Sequence, residues 1–428
     1  MNGFLYPLLL VALLPLTAHD QDKPAPSVTD LITQLGSKSF KQRETAAKQL
    51  RDRGPVVLPA LKQALTKALK PEQRVRLYKM IGELETVKAL SPTMVKLNTK
   101  PKRLADVLDD LKKQTGYRLG VNGKQGEYHV TFSKKQLPFW QMVKEVEQQL
   151  PFGLCTSKEK DSEFTFGRQP LQFSDHKGIF RLRLIYLHEE RDVELLKRNP
   201  VRKKKLIITY TVTCEPKFIL LELNPAKVTM ARDELGQKFP EMQPDMVFAK
   251  LDKNTESFAR NFDTRYQKTG RILLNRPDSK STMLRTIKGT VPVRLVLDRN
   301  PVVLTNNPLR TKRFKTKLAR QVLELHHVVA VKGIGYRVSF SLSPVPKDFN
   351  SPQYVNFPQL ASRVHLETAQ GYRYEKEISG CLYKDEICFL HLTFLRQKDQ
   401  PPPTRLIFED WKRLSYDVPF EFRNVPLP

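Results

Sequence analysis

The sequence contains few acidic residues relative to its basic ones. Against 73 lysines and arginines there are only 45 aspartates and glutamates, so the formal net charge is +28. A deficit of this size favours contact with polyanions such as nucleic acid, anionic lipid or acidic polysaccharide. A solvated basic surface without a ligand is the alternative. The apolar content of 40% excludes a disordered chain and predicts a globular protein of several domains over 428 residues.

Recognisable catalytic motifs are also missing. There is no G-x-S-x-G elbow and no phosphate-binding loop. The run HEERD, His188–Asp192, resembles the start of a zinc-protease helix, but aspartate stands where that motif needs its second histidine. Neighbouring strand residues point to opposite faces, so His326 and His327 are not predicted to share a metal ion. The sequence predicts no catalytic, metal-binding or cofactor-binding residue and indicates binding rather than catalysis.

A long membrane-spanning run is not found either. The apolar run Phe4–Ala18 is too short for a comfortable membrane span, and its length suits the core of a secretory signal peptide. We predict that residues 1–18 are a signal peptide cleaved after Ala18, and that the mature chain is periplasmic or in the cell envelope without a transmembrane span. A buried N-terminal helix and a retained membrane anchor are the alternatives.

The chain has four cysteines: Cys155, Cys214, Cys381 and Cys388. Export would permit disulfides. The run CLYKDEIC has a polar centre and predicts a hairpin that brings Cys381 and Cys388 across from one another, so we predict a disulfide between them. Cys155 and Cys214 are interpreted as buried thiols, although their pairing is left open.

The pattern of apolar residues predicts an α+β protein of several domains. Helical spacing predicts a helical domain over residues 27–88. Residues 92–168 are predicted to follow the order strand, helix, strand, strand, helix, strand. Many short alternating strands then predict two antiparallel β-sandwiches, over residues 170–298 and 299–428.

Two local patterns carry more detailed predictions. In the third helix Val75, Tyr78, Ile81 and Leu84 recur at helical spacing and are predicted to share one face. In the run EYHVTFS, which contains Val130, apolar and polar residues alternate as in a strand. If that strand lies at a sheet edge, its free backbone groups would accept a strand from a partner. A spacer role for residues 92–168 is the alternative.

Several stretches resemble known families. RETAAKQLRDRGPVVLPALKQAL resembles a HEAT-type helical repeat. LADVLDDLKKQTGYRLGV and LPFWQMVKEVEQQL resemble the short N-terminal module of secretins and TonB-dependent receptors. That module docks partner proteins or neighbouring subunits in the bacterial periplasm, so the resemblance implies an envelope setting. The order of domains, with its ending VPFEFRNVPLP, is similar to a group of uncharacterised bacterial envelope proteins, from which no activity carries over.

Two runs of cations lack any acidic residue. The first contains Lys197, Arg198, Arg202, Lys203, Lys204 and Lys205. The second contains Arg310, Lys312, Arg313, Lys315, Lys317 and Arg320. Contacts from such residues to phosphates would release counterions and make binding salt-sensitive. Nucleic acid is not the favoured ligand, because aromatic residues for base stacking are not interleaved with the cations.

Three functional hypotheses follow from these observations. The first is a non-catalytic exported envelope protein that binds or scaffolds a protein partner. The second is a protein that binds an anionic polymer through the two basic runs. The third is a hydrolase of an envelope polymer, with a site built from loops of the β domains. The modular order and the missing motifs favour the first hypothesis.

Overall fold

The structure, a computed structural model, describes residues 26–66, 70–121, 123–156, 163–168, 172–194, 201–242, 264–277, 280–318, 321–344, 357–397 and 399–428. The predicted signal peptide, residues 1–18, lies outside these ranges. The α+β class is confirmed. The chain divides into two compact units, Met1–Ser91 and Pro92–Pro428. None of the described helices combines the length and the apolar character needed to cross a membrane.

The described part of the first unit consists of two stacked helical hairpins. Its helices are α1 (Val28–Gln34), α2 (Phe40–Asp52), α3 (Leu58–Leu65) and α4 (Pro71–Ala89). Within each hairpin α1 packs against α2 and α3 against α4, and across the stack α1 contacts α3 and α2 contacts α4. Ion pairs of 2.8 Å join Glu44 to Arg76 and Arg51 to Glu83, each across 32 positions of sequence. The equal spacing shows that α2 and α4 run parallel and in register.

Helix α4 buries a different face from the predicted one. Ile81 and Leu84 lie in the core as expected, and Leu77 and Met80 complete that face. Val75 and Tyr78 point away from it and are 67% and 61% exposed. An apolar stripe therefore remains uncovered on this helix.

The second unit begins with a small module that is built twice. Its elements are β1 (Met94–Lys96), β2 (Lys102–Arg103), α5 (Leu104–Thr115), β3 (Leu119–Val121), β4 (His129–Val130), β5 (Gln136–Pro138), α6 (Phe139–Gln149), β6 (Gly153–Thr156) and β7 (Phe164–Arg168). They form three small sheets, β1–β5, β2–β4 and β3–β7–β6. Val95 pairs with Leu137, and Lys102 pairs with Val130. Val130 lies 35 positions after Val95, and Leu137 lies 35 positions after Lys102. The two pairings therefore join equivalent positions of an internal repeat.

Side chains from the module's own helices occupy backbone groups of β1 and of the segment that follows β4. Gln114 in α5 accepts a hydrogen bond from the Lys96 backbone N–H (2.9 Å) and donates one to the Lys96 carbonyl (3.0 Å). Gln149 in α6 likewise accepts a hydrogen bond from the Thr131 backbone N–H (2.9 Å) and donates one to the Thr131 carbonyl (2.7 Å). Glu145 also accepts from the Ser133 N–H at 3.0 Å. Addition of a partner strand at EYHVTFS would require free backbone groups in that segment. At Thr131 and Ser133 these groups already form hydrogen bonds with the helices.

Fourteen strands and one α-helix follow within the described residues. The strands are β8 (Ser174–Lys177), β9 (Phe180–Glu194), β10 (Val201–Cys214), β11 (Ile219–Leu223), β12 (Lys227–Arg232), β13 (Gln267–Asn275), β14 (Met283–Thr305), β15 (Phe314–Lys317), β16 (Val322–Val331), β17 (Gly335–Ser343), β18 (Val364–Glu367), β19 (Glu375–Lys384), β20 (Ile387–Leu395) and β21 (Arg405–Pro426), and the helix is α7 (Phe357–Ser362). Sheet I has the order β13–β10–β9–β8. Sheet II contains β11, β12, β14, β18 and β21, and sheet III has the order β15–β16–β17–β20–β19.

Sheet II is shared by the two β regions. Strands β14 and β21 pair antiparallel from Met283–Pro426 to Thr305–Leu406. Sheet I contacts this ladder through β8, which packs against β21. Leu406 and Phe408, near the start of β21, belong to the core of sheet III. The predicted boundary between residues 298 and 299 falls inside β14, so the two β regions are joined by a continuous strand.

Buried polar contacts fix the module to sheet I. The Trp140 indole N–H donates to the Ile179 carbonyl at 2.9 Å. Glu147 in α6 forms an ion pair with Arg181 in β9, and these side chains are 8% and 1% exposed. Arg183 donates to the Leu154 carbonyl at 2.8 Å. The module is therefore packed as part of the second unit.

Candidate ligand-binding face

Sheet III has one buried face and one polar face. Along β17 the side chains of Val338, Phe340 and Leu342 enter the core. Arg337, Ser339 and Ser341 alternate with them and belong to the opposite face. Ser339 and Ser341 are nevertheless 1% and 5% exposed. Something on the polar face must therefore cover them.

Three imidazoles provide that cover. His327 Nε2 lies 2.9 Å from Ser339 Oγ, and His391 Nδ1 lies 2.7 Å from the same oxygen. His326 Nε2 lies 3.0 Å from Ser341 Oγ. We call these five residues the histidine–serine cluster. Because a hydroxyl has one proton, Ser339 donates to one imidazole and accepts from the other.

The two adjacent histidines share this face, contrary to the expectation from strand geometry. The register of β16 on β17 shifts between Leu325 and His327, which marks a β-bulge. A bulge sets two residues opposite one partner position, so the alternation of faces is interrupted there. Burial lowers the pKa of His326, so it stays neutral to lower pH than an ordinary histidine. The cluster uses its imidazoles for hydroxyl contacts, and no three His, Cys, Asp or Glu side chains in the described ranges are grouped to hold a metal ion.

Cations of β15 and of the segment just before it lie along the edge of sheet III, beside the cluster. The inward residue of β15, Phe314, packs against the sheet III core. Lys315 and Lys317 pair opposite Glu324 and Val322 of β16 and are exposed on the polar face. We use "basic edge" for the exposed cations of the second basic run that the structure describes: Arg310, Lys312, Arg313, Lys315 and Lys317. Arg320 lies outside the described residues.

Glu324 is the acidic residue in contact with the basic edge. Lys315 Nζ lies 3.2 Å from its carboxylate, and Arg313 also pairs with it. Burial raises the pKa of Glu324, but hydrogen bonds from Arg313 and Lys315 outweigh it and lower the pKa overall. Arg310, Lys312 and Lys317 form no ion pair within the part of the chain that the structure describes. The edge therefore keeps an excess of positive charge.

The described cations of the first basic run are less accessible than the basic edge. Lys197 and Arg198 lie outside the described residues, and Arg202 and Lys203 belong to β10. Lys205 in the same strand is only 7% exposed, and Lys204 is partly buried and has an interaction partner. A polymer contact of the kind expected from this run is therefore not available at Lys205. The run HEERD belongs to the long strand β9 rather than to a helix or a turn.

A charged network between β18 and β21 was not anticipated from the sequence. Glu409 accepts hydrogen bonds from Arg373 (3.2 Å) and Trp411 (3.0 Å), and His365 lies 3.1 Å away. Burial raises the pKa of Glu409, but bonds from His365, Trp411 and Arg373 outweigh it, so its pKa falls to about 2. Polar and apolar residues alternate in RVHLET, which was the available signal, although Arg363, Glu367 and Thr368 are themselves buried.

Glu367 is held in the same network. Arg373 and Arg405 donate to separate oxygens of its carboxylate, at 2.8 and 3.0 Å. The oxygens of Glu367 and Glu409 are therefore all engaged by donors. We interpret the network as a cross-link between strands rather than as a site for acid–base chemistry.

The hairpin β19–β20 contains the predicted disulfide pair. Cys388 lies opposite Tyr383 and Cys381 lies opposite Leu390, so the two cysteines are diagonal neighbours, and both thiols are free in the structure. Diagonal Cα atoms are typically about 7–8 Å apart, which is at or beyond the limit for a disulfide. The disulfide remains a prediction. Non-reducing peptide mapping of the oxidised protein tests it, and finding both thiols free would contradict it.

Comparisons with known proteins do not identify a family. No protein-family model matches the chain. No curated protein matches it. The chain is similar to the crystal structure of the conserved domain protein from Bacillus anthracis at 10% sequence identity, over 59% of this chain and 90% of that one, with a TM-score of 0.17. This likeness is too weak to support an inference about the fold or function of the chain.

Proposed function

We propose that the protein is a non-catalytic binding protein of the cell envelope that holds an anionic polymer along the basic edge. The exposed cations of Arg310–Lys317, whose ion pairs within the described residues are made with Glu324, are the observation that supports this proposal. The net charge of +28 adds long-range attraction for the same ligand. The envelope location depends on the apolar N-terminal run and on the resemblance to envelope modules.

The charge arrangement predicts how steeply the affinity for a polyanion falls with salt concentration. Each cation that neutralises a charge of the polymer releases counterions, so affinity falls as salt increases. A linear polyanion in contact with several members of the edge should show a steep dependence of log affinity on log salt, of roughly −0.7 to −0.9 per contact. A ligand held by apolar contacts would not show this dependence.

Removing charge from the edge tests the proposal. We expect the triple variant Lys312→Gln, Lys315→Gln, Lys317→Gln to bind polyphosphate about tenfold or more weakly at ~0.1 M salt, because three contacts are lost. The matched control removes the same charge from the module through Lys112→Gln, Lys113→Gln and Lys124→Gln, all at exposed positions. Titration by fluorescence anisotropy with labelled polyphosphate measures both. Equal losses would show that only the net charge matters and would overturn the assignment to this edge.

Protein-partner binding is the second candidate, and the helical unit supports it. Phe40, Val75 and Tyr78 are 66%, 67% and 61% exposed. Val75 and Tyr78 lie on α4, the last helix of two hairpins whose stacking is compatible with a short HEAT-like array. Arrays of this kind normally cover such a face with a further repeat or a partner. We propose that an envelope protein covers it here.

Surface variants separate the two candidates. We expect the double variant Val75→Ser, Tyr78→Ser to lose a partner that the wild-type protein captures from native envelope extract, because the apolar contact area is removed. The triple lysine variant of the basic edge should retain that partner. Retention of every captured protein by the double variant would contradict this proposal without affecting the polymer experiment.

A further inference from the structure

Two ring nitrogens of the histidine–serine cluster are not used by the described protein. His327 contacts Ser339 through Nε2, and His391 contacts the same hydroxyl through Nδ1. Their other nitrogens, His327 Nδ1 and His391 Nε2, form no hydrogen bond with any residue that the structure describes. Both side chains are exposed. These two nitrogens can therefore contact a ligand on the polar face of sheet III.

Ser339 fixes the hydrogen-bonding character of both nitrogens. The side chain is buried beneath the imidazoles, so its single proton goes to one of them and its oxygen accepts from the other. A neutral imidazole carries its proton on one nitrogen only. The ring that accepts from Ser339 therefore has an outer N–H, and the ring that donates to Ser339 has a bare outer nitrogen. Whichever way the Ser339 proton points, the pair offers one donor and one acceptor.

One donor beside one acceptor discriminates between classes of ligand. An anion requires two donors, and a metal ion requires two bare nitrogens, so neither matches the neutral pair. A hydroxyl both donates and accepts hydrogen bonds. Two neighbouring hydroxyls can thus satisfy both nitrogens at once, one accepting and the other donating. The vicinal diol of a sugar ring has this arrangement.

The surroundings of the pair also suit a sugar ring. Gly380 of β19 lies opposite His391, and a Cβ atom there would be 3.2 Å from His391 Cδ2, so a larger residue would crowd the imidazole. In β20 the partly exposed Phe389 pairs with Ser341, and its ring is nearly parallel to that of His326, at 19°, with ring centres 6.0 Å apart. The faces of aromatic rings carry partial negative charge and attract the C–H groups of a sugar.

We propose that the histidine–serine cluster binds the vicinal diol of a sugar ring, so that the anionic polymer of the basic edge is an acidic glycan. The acidic part of this inference rests on the proposed function, whereas the diol contact depends on the cluster alone. β15 lies two strands from β17, or about 10 Å. One glycan chain can therefore reach both the cluster and Lys317. Glu324 lies between them, and its carboxylate is already paired with Arg313 and Lys315.

Histidine ring resonances of the full chain measure the diol contact. The protein has 8 histidines, and the variants His327→Phe and His391→Phe assign the two signals. We expect trigalacturonate, whose rings carry both a vicinal diol and a carboxylate, to shift both signals and to leave that of the exposed His129 unchanged. Its methyl ester lacks the charge and should still shift both signals at higher concentration. Short polyacrylate has carboxylates but no hydroxyls, and should bind the basic edge without shifting either signal.

Two variants locate the contact. His391→Phe keeps a flat ring over Ser339 but removes both nitrogens, and Gly380→Val keeps the imidazoles but crowds them. We expect each to weaken trigalacturonate binding about fivefold or more and to leave polyacrylate affinity within about twofold, whereas His129→Phe should change neither. Unshifted histidine signals, or a trigalacturonate affinity that neither variant alters, would overturn the inference. Polyacrylate binding that survives in the triple lysine variant would instead contradict the assignment of the basic edge and leave the diol result standing.

Discussion

Replacing Arg181 by methionine is expected to lower the free energy of unfolding by about 3–5 kcal/mol, because Glu147 then remains buried without its cation. Both side chains are almost fully buried, so water cannot replace the lost partner. The Arg181 guanidinium also lies 5.7 Å from the centre of the Trp140 ring, a contact that the variant loses. Urea unfolding followed by circular dichroism measures the change.

A second variant separates the unpaired charge from the loss of packing. Glu147→Gln combined with Arg181→Met removes both charges and keeps an acceptor for the Leu154 N–H, which Glu147 binds at 2.8 Å. We expect the double variant to recover most of the lost stability. Hydrogen exchange in Arg181→Met should increase both in the module and in β9, since the ion pair joins them. Faster exchange in the module alone would show that the two parts unfold independently.

Acid is expected to destabilise the second unit through His176 in β8. Burial, together with the nearby cations Arg181, Lys144, Arg183 and Lys177, lowers the pKa of His176 to about 3. Its buried Nε2 has no hydrogen-bond partner in the structure. The unfolded chain takes up this proton below pH 6.5, whereas the folded protein does so only near pH 3. Stability is therefore highest above pH 6.5 and falls as the pH decreases from 6.5 to 3.

The size of this effect follows from the linkage of protonation to folding. Each pH unit inside the window costs about 1.4 kcal/mol, so the loss between pH 7.5 and pH 5 is about 2 kcal/mol. His176→Gln should remove this part of the pH dependence, and His129→Gln, at an exposed histidine of β4, should not. Urea unfolding at both pH values measures the difference. Wild type and His176→Gln losing equal stability would contradict the prediction.

Local patterns in the sequence predicted where helices and strands lie better than they predicted which elements pack or pair with one another. In β17 the alternation of apolar and polar residues in the sequence matches the structure, where Tyr336, Val338, Phe340 and Leu342 belong to the buried core. Periodicity in α4 was ambiguous, because apolar residues lie on two faces of that helix. Leu77 and Met80 are buried while Val75 and Tyr78 are exposed, and only packing against α2 and α3 distinguishes the two faces.

Long-range features could not be read from the sequence. Charged and proline residues near Asp298–Pro301 look like a domain linker, yet pairing with β21 keeps this segment in a strand. The bulge in β16 places His326 and His327 on one face, and it depends on the register with β17. Both features are set by partners that are distant in the chain. The basic edge was predictable as a run of cations, but its ion pairs with Glu324 were not.

The continuous pairing of β14 with β21 has a mechanical consequence. β14 is 23 residues long, which at about 3.3 Å per residue corresponds to roughly 75 Å of extended chain. The register of this ladder shifts between Val296 and Asp298, near the junction of the two β regions, but pairing continues on both sides of the shift. A large bend there would have to break hydrogen bonds between β14 and β21. Force applied along the strands would load many hydrogen bonds in shear at once. A ligand bound on sheet III would thus transmit tension directly to the strands that pack against sheet I.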